Sequence, residues 1–321
     1  MMRVGSLFSG IGGIDIGFQQ AGFDVAWAVE KDAASCKTYR FNFPGTKLIE
    51  KDIRYIDPGC LEPVDVLVAG FPCQAFSVAG KQRGFSDSRG HLFYEISKFI
   101  DAHRPRFVFL ENVPNLIEHD EGRTFLIIHN VLSELDYSIR YRVLRASEYG
   151  NVPQIRDRIY VVAFREQQDC DCFCYPEKLE LQENIETILK RYEQKHPVYY
   201  YSTDEEFGQK VQSIVTSKSS IYRVYNNDVR IILNCMCPTL TASMGVKKNH
   251  VPLVRDYFGV RKITIQECLD FQGFPEEFKF PRTITLDDAY KQIGNSVCVP
   301  VVKRIAEKIK EIVQVSITNF V

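Results

Sequence analysis

The 321-residue chain contains no run of eighteen apolar residues, so a membrane-spanning helix is not expected. Its opening, Met1-Met2-Arg3-Val4-Gly5-Ser6-Leu7-Phe8, lacks the long apolar core and small-residue cleavage site of a secretory signal. Both absences point to a cytoplasmic protein, in which the 10 cysteines are reduced thiols rather than disulfides. Internal repeats and low-complexity tracts are also missing, which excludes a solenoid. Net charge is nearly absent: 40 Lys and Arg stand against 41 Asp and Glu. A uniformly basic nucleic-acid binder is therefore ruled out, but a local basic face is not. Between Phe207 and Arg255, the cations Lys210, Lys218, Arg223, Arg230, Lys247, Lys248 and Arg255 face the single acid Asp228.

What is present is ordinary for a globular protein, with 45% apolar and 25% charged residues and a length that predicts two domains. Arg3 to Phe8 reads as a strand, Ser9 to Gly13 as a glycine turn, Ile14 to Ala21 as a helix and Val25 to Glu30 as a second strand. This is a βαβ unit of the kind that binds nucleotides at its turn. Asp15 stands where a dinucleotide site wants its third glycine, which disfavours a pyrophosphate. Glu30 is placed to accept from both hydroxyls of a ribose. An adenosine without phosphates fits this pattern, with Asp52 as a second acid near its amino group.

The apolar run Val64-Asp65-Val66-Leu67-Val68-Ala69 predicts a buried strand, and Gly70-Phe71-Pro72-Cys73-Gln74 the loop after it. Cys73 then lies just past a strand's carboxyl end, where ligands collect in open α/β sheets. The Gly-, Ser- and Arg-rich stretch to Gly90 reads as a mobile surface loop. Arg106 to Leu110 predicts another buried strand, ending in Glu111 at the same edge, where the carboxylate either caps the next turn or faces a ligand. From Val152 to Phe164 a strand is predicted in which Gln154, Arg156 and Arg158 share one face. Two guanidiniums there call for a partner, which is an Asp or Glu of the protein, a phosphate or a substrate carbonyl.

After Arg165 the βαβ rhythm stops. Cys170-Asp171-Cys172-Phe173-Cys174 and Cys235-Met236-Cys237 pair thiols on strand faces, but zinc sites space their cysteines wider, so buried thiols are expected and no metal. Near the end, Gly294-Asn295-Ser296-Val297 reads as a turn before a helix that starts near Pro300, with amides placed for a carboxylate.

In this order, Leu7-Phe8-Ser9-Gly10-Ile11-Gly12-Gly13, Glu30, Asp52-Ile53, Gly70-Phe71-Pro72-Cys73-Gln74, Glu111-Asn112-Val113, Gln154-x-Arg156-x-Arg158, Arg261 through Pro275 and Gly294-Asn295-Ser296-Val297 resemble the bacterial DNA (cytosine-5)-methyltransferase family. The resemblance implies an α/β fold, a Rossmann-like S-adenosylmethionine-dependent methyltransferase sheet formed by residues 1–164 and 286–321, with a smaller target-recognition domain at 165–285. It implies S-adenosylmethionine bound by Phe8, Gly10, Gly12, Gly13, Glu30, Asp52, Ile53, Pro72, Asn295, Ser296 and Val297. Cys73 would be the nucleophile, Glu111 the partner of cytosine N3, Arg158 that of O2, with Arg156 and Gln154 in support. Ser77, Gln82, Arg83 and Thr239 would touch DNA, the stretch from Phe76 to Gly90 acting as a lid over a flipped-out cytosine. The partner would be double-stranded DNA, the protein a monomer, and a restriction endonuclease reading the same sequence its counterpart.

Two departures stand out: Ile265-Gln266 replaces the family's usual Pro-Arg, and Lys51 a common Gly. A transfer-RNA enzyme of the same fold typically carries Pro-Pro-Cys-Gln followed by Pro-Phe-Thr. Here Phe71 precedes Pro72 and Ala75-Phe76-Ser77 follow Gln74, which favours DNA. A non-catalytic DNA-binding regulator is the other alternative, although every expected catalytic position is filled. A zinc deaminase would need His-x-Glu with Pro-Cys-x-x-Cys, absent from this chain.

Overall fold

The computed structural model describes residues 1–72, 91–225, 228–232, 236–246 and 250–318. Cys73, Ser77, Gln82, Arg83, Cys235, Lys247 and Lys248 lie outside the described residues, as does the stretch expected to act as a lid. The chain packs as two compact units, residues 1–144, 157–177 and 301–321 in one and 145–156 with 178–300 in the other. These packing boundaries do not coincide with the functional division expected at 165 and 286.

The first unit opens with β1 (Arg3–Leu7), α1 (Gly13–Gln20), β2 (Asp24–Glu30), α2 (Ala33–Asn42), β3 (Lys47–Glu50) and β4 (Val66–Gly70). It continues with α3 (His91–His103), β5 (Phe107–Asn112), α4 (Arg123–Glu134) and β6 (Ser138–Arg145). After α5 (Ala146–Tyr149) and β7 (Gln154–Ile155), which belong to the second unit, the chain returns with β8 (Asp157–Phe164) and α6 (Gln167–Cys172). The sheet has the order β3-β2-β1-β4-β5-β8-β6, parallel from β3 to β5 and antiparallel between β5 and β8. Central strands buried on both faces need continuous apolar sequence, and Val66-Leu67-Val68-Ala69 supplies it with every side chain enclosed. The chain leaves β1 toward β2 and β3, then returns to place β4 on β1's other side. The ends of β1 and β4 therefore flank the point where the strand order reverses, which is where open α/β sheets bind ligands.

Backbone demands fix the first of those ends. Gly12 has φ 85 and precedes α1, and a Cβ on it would lie 2.3 Å from the Phe43 ring, so no other residue fits. Phe8 sits at φ 54, a left-handed conformation costly for an aromatic residue.

In the second unit follow α7 (Ile185–Leu189), α8 (Glu206–Ile214), β9 (Ile221–Tyr225), β10 (Asp228–Ile232), β11 (Cys237–Pro238), α9 (Ser243–Val246), β12 (Leu253–Arg255), β13 (Val260–Lys262), α10 (Ile265–Phe271) and α11 (Leu286–Asn295). The strands form an antiparallel sheet β10-β9-β12-β13 and a parallel pair β11-β7. Val211, Val215, Tyr222, Val224, Val229, Leu253 and Val260 make the core beneath the sheet. The last helix, α12 (Val299–Thr318), packs with the first unit from Val301 onward.

Three expectations need correction. The strand predicted from Val152 to Phe164 is interrupted at Arg156, because β7 pairs with β11 while β8 pairs with β5. Cys170 and Cys172 lie in helix α6, not on a strand face. Gly294 and Asn295 are the last residues of helix α11, and the turn expected there begins only at Ser296.

The Ile265-Gln266 departure leaves α10 well anchored. Thr264 and Glu267 form a capping box at its start. The fully buried Arg261 guanidinium bonds both oxygens of Glu267 at 2.7 Å, Asp256 at 2.7 Å and the Leu189 carbonyl at 3.0 Å. The half-buried Ile265 occupies the first helical position, and Gln266 bonds Asp270 at 2.8 Å.

Candidate active site at the reversal of the sheet

In the first unit, the carboxyl ends of the parallel strands and the start of antiparallel β8 bring Phe8, Gly10, Gly12, Gly13, Glu30, Asp52, Ile53, Pro72, Glu111 and Arg158 to one edge. The Glu30 carboxylate is fixed by main-chain amides. Its Oε2 accepts from Gly10 at 2.8 Å, and its Oε1 from Lys31 and Asp32 at 2.8 Å each. An ionised carboxylate offers about four acceptor sites, of which these amides use three and leave one on Oε2. A Cβ on Gly10 would meet nothing within 4 Å, so the turn is open at this residue.

Asp52 caps the single turn at Ile53–Tyr55 and accepts from the Arg54 amide at 3.1 Å. The Arg54 guanidinium grips both its oxygens, at 2.9 and 2.7 Å, and Lys31 Nζ approaches at 3.1 Å. The Arg54 hydrogen bonds above all, with Lys31, hold this carboxyl far below the usual carboxylate range. The Ile53 side chain is buried in the sheet's core, while Pro72 is exposed.

At the neighbouring strand ends Gly70 pairs with Glu111, and a Cβ on Gly70 would lie 3.6 Å from Glu111 Oε2. Arg158 Nε lies 3.0 Å from Glu111 Oε1, with the two side chains only 13% and 10% exposed. The antiparallel β5–β8 pairing places them together. Asn112 Nδ2 donates to the Phe71 carbonyl at 2.9 Å, tethering the main chain two residues before Cys73.

Gln154 and Arg156 do not join Arg158 on a common face. They organise the second unit. Arg156 Nη1 donates to the Leu240 carbonyl at 2.7 Å, and Nη2 to the Ser296 carbonyl. Gln154 Nε2 donates to the Phe271 carbonyl at 2.7 Å and its Oε1 accepts from the Leu240 amide at 3.3 Å. The Thr239 hydroxyl donates to the Ile155 carbonyl. Ser296 and Val297 are buried beside this cluster's segment, and Asn295 is exposed.

A family model described as C-5 cytosine-specific DNA methylase matches residues 2–311. The chain belongs to the C-5 cytosine-specific DNA methylase family. Type II methyltransferase M.Bsp6I of Bacillus sp. (strain RFL6) is 44% identical over 312 residues, covering 96% of this chain and 98% of that protein. Type II methyltransferase M.HhaI of Haemophilus parahaemolyticus is 35% identical over 320 residues, covering 96% and 94%. Among solved structures, a putative DNA modification methyltransferase encoded within an E. coli prophage superposes with TM-score 0.70 at 23% identity, covering 98% of this chain and all of that one. S. pombe Dnmt2 methyltransferase gives 0.73 at 19% identity, covering 97% and 99%. At these identities both structures establish the methyltransferase fold alone.

The methylase also buries an acid beside the glycine turn. Asp15, in the first turn of α1, is fully buried and accepts from the Ser6 hydroxyl and from the Tyr39 hydroxyl, each at 2.6 Å. It thereby ties β1, α1 and α2 around the glycine turn. The only sign in the sequence is a carboxylate where an apolar or glycine residue would fit. Burial pushes its carboxyl up to about 6, against the pull of the two hydroxyls. Below about pH 4 Asp15 is protonated in folded and unfolded chains alike. Between 4 and 6 the unfolded chain ionises first, so this group's contribution falls, and it is level above 6. The loss is on the order of 3 kcal/mol. Asp15→Asn should cancel that slope; parallel urea-unfolding curves for both proteins from pH 4 to 7 would contradict it.

Among the described residues no group of three or more His, Cys, Asp or Glu is arranged to hold a metal ion, and no helix is long and apolar enough to cross a membrane. Cys170 and Cys237 are buried thiols, whereas Cys172 and Cys174 are exposed.

Proposed function

We propose that this methylase transfers a methyl group from S-adenosylmethionine to carbon 5 of a flipped-out cytosine within a short sequence of double-stranded DNA, through a covalent adduct on Cys73. The observation that carries the reading is the Glu111–Arg158 pair, held at the sheet edge beside the strand that runs into Pro72 and Cys73. The residues present suit the cofactor: Glu30 keeps one acceptor site for a ribose hydroxyl, the Gly10 turn is open, and Asp52 is anionic. S-adenosylmethionine, when bound, supplies an electrophilic methyl on a sulfonium.

Carbon 5 of cytosine is too electron-poor to take that methyl unaided. The Cys73 thiolate adds to carbon 6, forming a sulfur–carbon bond and pushing electron density onto carbon 5. Glu111 hydrogen-bonds or protonates N3, offsetting the charge that builds on the ring. Arg158, already beside Glu111, polarises O2. After transfer water takes the carbon 5 proton, the electrons of that bond restore the carbon 5–carbon 6 double bond, and the sulfur–carbon bond breaks to return the thiolate. Arg156 and Gln154 act one step removed, by holding the Leu240 and Ser296 segments in place. Residues 165–285 carry target recognition, with the cations after Phe207 on DNA phosphates. We read the protein as a cytoplasmic monomer paired with a restriction endonuclease for the same sequence.

The test is incubation with S-adenosylmethionine and unmethylated genomic DNA, then conversion sequencing, with Cys73→Ala in parallel. Methylation at one short motif, lost at least a thousandfold in the variant, is expected for a removed covalent nucleophile. No 5-methylcytosine from the wild-type protein despite DNA binding would overturn the reading and direct the assay to transfer RNA.

A further inference from the structure

The four acceptor sites of the Asp52 carboxylate are all taken. Oδ1 accepts from the Arg54 amide and Arg54 Nε, and Oδ2 from Arg54 Nη2 and Lys31 Nζ. A donor arriving from a ligand must therefore replace one of them. The three bonds from Arg54 hold one another: two come from a planar fork, the third from the main chain of the same turn, and the guanidinium also lies 5.8 Å from the centre of the Tyr55 ring. Lys31 is different. It makes one contact, among the longest of the four at 3.1 Å, from a side chain 58% exposed that can swing into water. Its own amide, meanwhile, is fixed on Glu30 Oε1. The side chain thus runs from the ribose acceptor to the base acceptor and ends on the oxygen that an adenine amino group would use.

We propose that Lys31 is a resident donor on Asp52 that the cofactor's adenine amino group displaces, so that Lys31 sets both the affinity for the cofactor and the preference for an amino group at that position. This rests on the reading that Asp52 faces the adenine. Displacement lowers the affinity for adenosyl ligands by the strength of one exposed ion pair. A base with a carbonyl in place of the amino group behaves oppositely: it cannot donate to Asp52, and it gains from Lys31, whose ammonium can bridge the carboxylate and that carbonyl. Removing the ammonium should therefore tighten one ligand and weaken the other.

The probes are S-adenosylhomocysteine and S-inosylhomocysteine, each titrated calorimetrically into the full-length wild-type protein and into Lys31→Met, which keeps the length of the stem and loses the charge. For the adenosyl ligand Lys31→Met should bind about two- to fivefold tighter, the range of an exposed ion pair; for the inosyl ligand it should bind no better or more weakly. Equal shifts for both ligands, or none for either, would overturn the proposal. Asp52→Asn separates this from a failure of the underlying reading, since its side-chain oxygen still accepts the Arg54 amide and preserves the turn. If Asp52→Asn leaves the preference for the adenosyl ligand untouched, Asp52 does not face the base and both readings fall. If that preference drops while Lys31→Met shifts both ligands alike, only the role of Lys31 is lost.

Discussion

Glu111→Gln should slow methylation by about 10²- to 10⁴-fold, the contribution expected of one proton-transferring group, while DNA and cofactor binding persist. Glutamine matches the shape of Glu111 and its place on β5, but it can neither carry a proton to N3 nor balance the Arg158 guanidinium 3.0 Å away. Two effects compete here. The loss of rate corresponds to about 3–5 kcal/mol of transition-state stabilisation. The loss of a counter-ion from a buried pair costs up to about 3–5 kcal/mol of folding stability, and less for side chains that keep some exposure, as these do. Single-turnover kinetics and thermal unfolding, run on the same preparation, tell them apart. A variant that unfolds slightly earlier yet turns over at the wild-type rate would reduce Glu111 to a counter-ion for Arg158. Arg158→Gln is the companion: if O2 is its target, it slows the same step without abolishing it, because Cys73 and Glu111 remain.

Much of this arrangement is legible in the sequence, and the reason is local. Ser9 to Gly13, the acid that closes β2 and the apolar run of β4 each announce themselves within ten residues, because burial on both faces and left-handed turns tolerate few residue types. What could not be read depends on partners far along the chain. The strand predicted from Val152 to Phe164 divides at Arg156 because Gln154 pairs with Cys237 while Ile159 pairs with Asn112. Nothing within a dozen residues of Arg156 encodes either pairing. Asp15 was visible only as an exception to a nucleotide-binding pattern, since its partners Ser6 and Tyr39 come together through tertiary packing. The acids expected to hold an adenosine illustrate a finer limit. Residue type predicts that Glu30 and Asp52 accept hydrogen bonds, but only the structure counts the acceptor sites already in use, and that count distinguishes the open Glu30 from the occupied Asp52.

Gly294→Ala should destabilise the second unit by about 3 kcal/mol, at the upper end of what overpacking costs, although helix propensity alone predicts a gain of about 1 kcal/mol. Gly294 lies in α11 with an ordinary helical neighbour on either side. A Cβ at this position would stand 2.1 Å from the Thr241 carbonyl carbon, 2.3 Å from its oxygen and 2.4 Å from the Ala242 nitrogen. These are main-chain atoms, so no side chain can turn aside, and either α11 or the 240–242 segment must shift. That segment carries the Leu240 carbonyl, and the end of α11 leads to the Ser296 carbonyl; Arg156 bonds both. Parting them stretches a buried guanidinium between two receding acceptors, which adds to the steric cost and links fold to function. Gly45→Ala is the control, because its Cβ would meet nothing within 4 Å, and it should change stability by less than about 0.5 kcal/mol. Hydrogen exchange on α11 reads the effect where it arises. If Gly294→Ala unfolds with Gly45→Ala and the wild type, the close approach of α11 to Thr241 is not a feature of the folded protein, and the positioning role given to Arg156 loses its foundation.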